Sequence, residues 1–166
     1  MKINDDHLYH GAALIQIAEH DQFTAINAFT YRGGKSRSAF RINDEIGVYL
    51  KYSSKPTPRF KEYPFAFRSE NLEELKALRK KTSSVFIALV CVKDRHICCL
   101  PYNDLLELIA RRQRGKGSPE DQYTILATLP ARKEFRVYVN APGVKKTMLG
   151  KVIMIARKNF PDKLFE

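Results

Sequence analysis

Two positions combine residue types with a spacing that could perform chemistry. Lys51 lies within residues 48–54, VYLKYSS, in a predicted strand of a basic stretch, where it could contact a phosphate. His7 and His10 are three residues apart and would share one face of a helix. Such a pair could hold a metal ion or act as a general acid and base. No third ligand is identifiable, so exposed or capping histidines are the alternative interpretation.

Two basic, glycine-containing stretches could contact phosphate groups. Residues 32–38 read RGGKSRS, and their backbone amides and basic side chains could cradle a phosphate; a flexible basic connection is the alternative. Residues 111–117, RRQRGKG, lead into a polar, mobile loop predicted over 114–122, which could contact phosphate or simply follow a solvated helix end. The candidate nucleic-acid contacts are Arg32, Lys35, Arg37, Lys51, Lys55, Arg111, Arg112, Arg114 and Lys116.

Aromatic and basic residues alternate in two further places, residues 59–68 and residues 135–138. On an exposed sheet face, aromatic rings can stack nucleobases while lysines and arginines hold phosphates. The same alternation describes an ordinary half-buried strand. Because phenylalanine outnumbers tyrosine over 60–67, core packing is the favoured interpretation there.

The charge balance points to a polyanionic partner. The 166 residues include 29 lysines and arginines against 18 acidic residues, a net charge of +11. Residues 31–60 hold seven basic and two acidic side chains, and residues 111–166 hold thirteen and five. Such concentrated basic charge neutralises phosphates and releases their counterions. A membrane or acidic protein partner, or a merely solvated surface, are the alternatives.

Other residue patterns exclude several classes. Cys91, Cys98 and Cys99 lie in or beside an apolar run and contain no CxxC pair, which predicts buried thiols in a reduced, cytoplasmic protein. No apolar run approaches the roughly 18 residues that a membrane span needs, so no membrane partner is expected. Neither GxSxG nor a P-loop motif occurs, which leaves serine-hydrolase and P-loop functions without support.

Hydrophobic periodicity predicts an α+β fold, a single domain over 1–166 with one mixed central sheet and flanking helices. A first helix over 5–20, capped by Asp5 or Asp6, would bury Leu8, Ala12 and Ile15. The other predicted helices span 69–81, capped by Ser69 or Asn71, and 102–114, capped by Asn103. The predicted strands are 23–31, 39–43, 47–52, 85–92, 96–100, 123–129 and 134–140, with turns at 43–45 and 93–95 and a loop over 55–64. The tail over 144–166 is ambiguous between strand and helix.

This order of elements, together with residues 48–54, resembles the PD-(D/E)XK restriction-endonuclease-like superfamily over roughly residues 5–110. The resemblance implies a core of helix, three-strand meander, helix and strand hairpin. It also implies a strand that carries an acid-X-Lys motif, with a metal-binding acid and a catalytic lysine. In such nucleases two acidic ligands hold Mg²⁺ against the scissile phosphate.

The chain departs from that motif at its acids. The acid two residues before Lys51 falls at Tyr49, the acid of the preceding strand falls near Ala39 or Arg41, and the glutamate of the first helix falls near His10. A tyrosine is no ordinary Mg²⁺ ligand at neutral pH, because its phenol titrates near 10. The resemblance therefore implies a nucleic-acid-binding protein with a degenerate metal site.

Three hypotheses remain open at this point. The first is this nucleic-acid-binding protein, which contacts phosphates through a basic surface, with DNA favoured over RNA. The second is an active Mg²⁺-dependent endonuclease with relocated ligands, in which Asp44, Glu45 and His10 would act with Lys51. It requires these carboxylates within about 5 Å of a shared metal position. The third is a protein-interaction or regulatory module with an acidic partner.

Overall fold

The structure is a computed structural model and describes residues 1–143 and 147–166. The α-helices of this part are α1 (Asp5–Ala18), α2 (Ser69–Lys81) and α3 (Tyr102–Lys116), and a 3₁₀ helix follows at Asp162–Phe165. The strands are β1 (Ile26–Tyr31), β2 (Gly34–Ile42), β3 (Ile46–Ser53), β4 (Tyr63–Arg68), β5 (Ser84–Cys91), β6 (His96–Pro101), β7 (Gln122–Thr128), β8 (Phe135–Tyr138) and β9 (Ile153–Ile155). The predicted α+β class is confirmed.

The first sheet has the strand order β1-β2-β3-β5-β6. Strands β1 to β3 form an antiparallel meander, as the predicted turn over 43–45 requires. Strand β5 pairs parallel to β3, because β4 and α2 intervene and carry the chain back to the starting edge. Strand β6 then returns antiparallel to β5 through the predicted turn. This sheet is the mixed central sheet that the sequence predicts.

A second sheet, antiparallel with the order β4-β7-β8-β9, was not predicted. The prediction of one sheet is wrong because β4 was not predicted: its first two residues lie in the proline-containing loop predicted over 55–64, and residues 65–68 were assigned to no strand. Pro64 pairs with Leu126 at the edge of this sheet. An edge strand tolerates a proline because the outward backbone position needs no N–H donor.

Both faces of the first sheet are covered. One face packs against α2, α3 and the second sheet, and the other packs against α1 and the segment of residues 160–165. Alternate residues of β5 enter the two cores, so this strand is buried on both faces, as its continuous apolar run favours. All three cysteines are buried, and Cys98 and Cys99 enter opposite cores. The expectation of buried thiols is confirmed.

Helix α1 buries a different face from the predicted one. Its buried side chains are His10, Ala13 and Ile17, whereas Leu8 and Ile15 are 56% and 61% exposed. Apolar residues lie on both faces of this helix, so periodicity alone could not choose between them. The predicted caps are also wrong. Asn4 caps α1 in a reciprocal pair with His7, while α2 and α3 begin after Arg68 and Pro101 with no side-chain capping bond from these residues.

Two predicted loops are largely regular structure. In residues 32–38, Arg32 and Gly33 form a tight hairpin turn with φ of 50° and 80°, and the remaining residues belong to β2. Helix α3 extends to Lys116 and ends at Gly117, whose φ is 85°, so it takes up the start of the loop predicted over 114–122. Within the predicted tail, residues 144–146 lie outside the described residues, and β9 and the 3₁₀ helix follow. No helix in the described ranges is long and apolar enough to cross a membrane.

Candidate nucleic-acid interface

Lys51 joins the two sheets. Its side chain leaves β3 on the same face as Tyr49, toward α2 and the second sheet. The ammonium donates to the Ala66 carbonyl oxygen at 2.5 Å and to Asn71 Oδ1 at 3.2 Å, and it lies 5.0 Å from the centre of the Phe67 ring. Both acceptors are protein groups, so this half-buried lysine is engaged internally.

Asn71 links Lys51 to Tyr49. Its Oδ1 also accepts from the backbone N–H of Arg68 at 2.9 Å, and its Nδ2 donates to the Tyr49 hydroxyl oxygen at 3.1 Å. Tyr49 is 2% exposed, and burial raises the pKa of its phenol. The position where the resemblance implies a metal-binding acid is therefore held by a neutral, hydrogen-bonded phenol.

Nearby charges act on Lys51 in opposite directions. Burial lowers the pKa of Lys51, and Arg68 lowers it further, whereas Glu70 and Glu74 raise it. Glu74 also accepts from the Ser36 hydroxyl at 2.7 Å. The carboxylates that act on the lysine thus come from α2, and no spacing pattern in the sequence associates them with β3.

His10 lies across β3 from Lys51, against the α1 side of the sheet. Its Nδ1 is 3.0 Å from the Arg37 carbonyl oxygen, and because that oxygen only accepts, Nδ1 carries the proton. Burial lowers the pKa of His10, and Lys51 lowers it as well. The ring borders a hollow of about 330 Å³ that Asp6 and His7 also line. Helix α1 therefore does place His10 near the level of Lys51.

The relocated carboxylates are not brought to Lys51. Asp44 and Glu45 precede β3, whereas Lys51 lies toward its other end. Six residues of strand correspond to about 20 Å, well beyond the reach of one shared metal ion. Within residues 1–143 and 147–166, no three histidine, cysteine or acidic side chains form a group that could hold a metal. The proposed set of Asp44, Glu45, His10 and Lys51 is not assembled.

The basic side chains predicted on and after α3 are mostly engaged inside the protein. Arg112 makes two hydrogen bonds to Glu120, at 2.6 and 3.0 Å, and a third to the Asn140 carbonyl oxygen at 2.8 Å. Arg111 bonds to Glu107 at 3.1 Å and to a backbone carbonyl at 2.6 Å. The remaining two, Arg114 and Lys116, lie 3.5 and 3.4 Å from Glu107 and Glu120. Residues 111–116 belong to α3 and not to a mobile loop, and carboxylates of the chain itself pair with these charges, so their contact with phosphate stays a prediction.

The candidates from the first half of the chain are more open. Arg32 pairs with Glu73 at 2.8 Å and stacks on Tyr31. Lys35, Arg37 and Lys55 are exposed, and none has an ion-pair partner in the part of the chain that the structure describes. Gly34 and Lys35 pair with β1, and the backbone N–H groups of Ser38 and Ala39 donate to the Ser36 hydroxyl at 3.1 and 2.9 Å, so these two amides are already hydrogen-bonded within the chain.

A concave surface lies on the outer face of the second sheet, where residues 57–62 border two adjoining hollows of about 650 and 680 Å³. We call this surface the loop–sheet groove and define it by Arg59, Lys61, Glu62, Leu126, Arg136 and Tyr138. Thr57 orders the bordering loop, because its backbone bonds to Lys61 and Glu62 and its hydroxyl accepts from the Glu62 N–H at 3.1 Å.

Three basic side chains line the loop–sheet groove and are exposed: Arg59, Lys61 and Arg136. No acidic residue among those described forms an ion pair with them. The predictions missed these residues although the signal was present, since both stretches of alternating aromatic and basic residues contribute to the groove. The core-packing interpretation is confirmed for Phe65 and Phe67, but the loop before them faces outward.

The chain matches no protein-family model, no curated protein and no solved structure.

Proposed function

We propose that this protein binds nucleic acid by contacting backbone phosphates in the loop–sheet groove. The observation that carries the proposal is the set of three exposed basic side chains, Arg59, Lys61 and Arg136, in one concave surface without ion-pair partners among the described residues. Side chains of this kind are available to neutralise phosphates, and neutralisation supplies most of the sequence-independent affinity for nucleic acid.

The contrast with α3 supports this choice of surface. Arg112 also borders the groove, but it forms a bidentate ion pair with Glu120. Binding a phosphate at Arg112 would require that pair to break. The two hollows, of about 650 and 680 Å³, suit the bases and sugars of a flexible chain, so we propose single-stranded nucleic acid as the preferred form.

We further propose a restriction-endonuclease-like core whose metal site has been lost. The order α1, meander, α2, β5 and β6, with β5 parallel to β3, supports the first part. Tyr49 and Asn71 support the second, because they fill the neighbourhood of Lys51 with neutral hydrogen-bonding groups. Glu70 and Glu74 act on Lys51 from α2, but among the described residues no group of three histidine, cysteine or acidic side chains could hold a metal ion.

The test is fluorescence anisotropy with labelled single-stranded DNA, duplex DNA and RNA over a salt series from about 50 to 200 mM. Three phosphate contacts predict that log K falls against log salt with a slope of about −2 for a single strand. The double variant Arg59→Ala/Arg136→Ala should bind more weakly and retain a slope of only about −0.7.

Lys80→Ala/Lys81→Ala is the matched control, because it removes the same charge from exposed positions of α2 that border neither hollow. We expect its slope to stay near that of the unaltered protein. Equal losses in the two double variants would show that net charge, and not the groove, governs binding. Flat and weak signals for every nucleic acid at low salt would overturn the proposed function and favour an acidic protein partner.

A further inference from the structure

A buried carboxylate lies within the loop–sheet groove. Glu62 is 6% exposed and borders both hollows. The Tyr138 hydroxyl donates to its Oε2. For Oε1, no hydrogen-bond partner occurs among the described residues. Glu62 is not among the described side chains that hold a fully buried, unpartnered polar atom, so Oε1 is reached from the groove and can accept from the donors of a ligand.

The charge of Glu62 determines which part of a nucleic acid can approach it. A phosphate would be repelled at this point, although Arg59, Lys61 and Arg136 attract phosphates around it. The group beside Glu62 must therefore carry hydrogen-bond donors, and two adjacent N–H donors suit the two oxygens of one carboxylate best. Within a strand these donors belong to a nucleobase.

Guanine is the base whose edge best fits a carboxylate. Its ring N–H and its exocyclic amino group lie side by side, so both oxygens of one carboxylate can accept at once. Adenine and cytosine place a ring acceptor beside their amino group, and thymine and uracil place carbonyl oxygens on both sides of one N–H. Each of these bases would leave a carboxylate oxygen facing another acceptor.

Tyr138 fixes the carboxylate in place. Burial raises the pKa of its hydroxyl, and so does the bond to Glu62, so the group stays a donor at neutral pH. One bond to Oε2 leaves further acceptor capacity on both oxygens. Each hollow, at about 650 and 680 Å³, falls in the size range of sites that enclose small molecules, so a single base can be accommodated.

From this geometry we infer that Glu62 recognises the Watson–Crick edge of a guanine base. The basic side chains of the groove, Arg59, Lys61 and Arg136, hold the adjoining phosphates. The inference rests on the proposed function, because it assigns a base to the same groove that would hold the strand. It makes the protein a guanine-preferring binder of single strands.

The first test varies the ligand and leaves the protein unaltered. Oligothymidylates of about 12 nucleotides carry one central guanine, adenine, hypoxanthine or 7-deazaguanine, and anisotropy gives each affinity. We expect guanine to bind about tenfold more tightly than adenine, as one good two-point base contact implies. Hypoxanthine lacks the exocyclic amino group and should lose most of that gain. Because 7-deazaguanine keeps the same edge, it should retain it.

The second test varies the carboxylate. In Glu62→Gln the amide still accepts from Tyr138 but offers one acceptor and one donor to the base. We expect the preference for guanine to disappear, while oligothymidylate binds more tightly because a negative charge has gone. Tyr138→Phe should weaken the preference and leave the slope of affinity against salt unchanged. Lys80→Ala/Lys81→Ala should leave the preference intact.

The outcomes separate the two proposals. Salt-dependent binding with equal affinity for all four strands would overturn the guanine inference and leave the proposed function standing. A Glu62→Gln variant that keeps the guanine preference would also overturn it. Absence of binding to every strand, together with tight binding of free GMP in the same assay, would overturn the proposed function but support the guanine site. If Glu62→Gln fails to fold by circular dichroism, the ligand series on the unaltered protein still decides the question.

Discussion

Replacing Lys51 with methionine tests whether this lysine joins the two sheets or serves a reaction. Methionine retains an unbranched apolar stem next to Phe67 but removes the donor to Ala66 O and Asn71 Oδ1. The first contact ties β3 to the second sheet, and the second ties it to the start of α2. A change that only removed surface charge would affect neither connection.

The size of the effect follows from these two bonds. A hydrogen bond to a charged group contributes about 1.5–3 kcal/mol. In the variant, Asn71 Oδ1 still accepts from the Arg68 N–H, so this oxygen loses only one of its two hydrogen bonds. Burial lowers the pKa of Lys51, which means that the ammonium is costly to keep here and that its removal returns part of the loss. We therefore expect a net loss of about 2 kcal/mol, or a fall in Tm of about 4–8 °C.

The assay is thermal unfolding of Lys51→Met beside Lys76→Met, which makes the same change at an exposed position of α2. The control should change the free energy of unfolding by less than about 0.5 kcal/mol. An unchanged Tm in Lys51→Met would refute the bridging role. Cleavage of DNA that requires Mg²⁺ or Mn²⁺ and disappears in Lys51→Met would refute the degenerate site as well.

Three further predictions concern stability. The pKa of each buried thiol in the folded state lies above the unfolded value of 9.0. As the pH rises above about 9, the thiols therefore lose their protons first in the unfolded state, and the free energy of unfolding falls. A pH series of Tm should show this fall, approaching about 1.4 kcal/mol per pH unit for each thiol, and a flat profile would contradict it. In urea unfolding, Arg112→Ala should lower the free energy of unfolding by about 2 kcal/mol, because it removes the ion pair with Glu120. Arg114→Ala, at an exposed position, should lower it by less than about 0.5 kcal/mol. Equal effects would contradict the role of the pair between Arg112 and Glu120. Gly47→Ala should lower the free energy of unfolding by about 1–3 kcal/mol, because the new Cβ would lie 2.9 Å from Leu78 Cγ. Gly11→Ala has open space around it and should raise the free energy of unfolding by about 0.5–1 kcal/mol through α1. The opposite order of stabilities would contradict this packing.

The bonds of Lys51 and the ion pair of Arg112 have a common consequence for function. Both side chains were candidates for contacting a phosphate, and both are committed to partners within the chain. The basic side chains that remain without an ion-pair partner among the described residues, above all Arg59 and Arg136, lie on a surface that forms only when the second sheet is assembled. Net charge therefore indicates the kind of partner, while internal pairing determines which residues are free to meet it.

The sequence by itself determined the central sheet. The apolar run of β5, the turn over 43–45 and the amphipathic pattern of α2 are local signals, and each formed as predicted. The opposite orientation of Cys98 and Cys99 follows from strand geometry alone, because adjacent side chains of a strand alternate between its faces. Such features need no information about distant parts of the chain.

The tertiary structure alone decided the candidate site. Pro64 argued against a strand until pairing with β7 placed it at a sheet edge, and only that pairing creates the outer face where Glu62 meets Tyr138 across 76 positions of sequence. Which face of α1 is buried was likewise decided by the sheet, since His10 bonds to a carbonyl of β2. The physical reason is the same in each case. Periodicity specifies which residues share a face, whereas the partner of that face, and with it the free or paired state of each charge, depends on contacts between segments far apart in the chain.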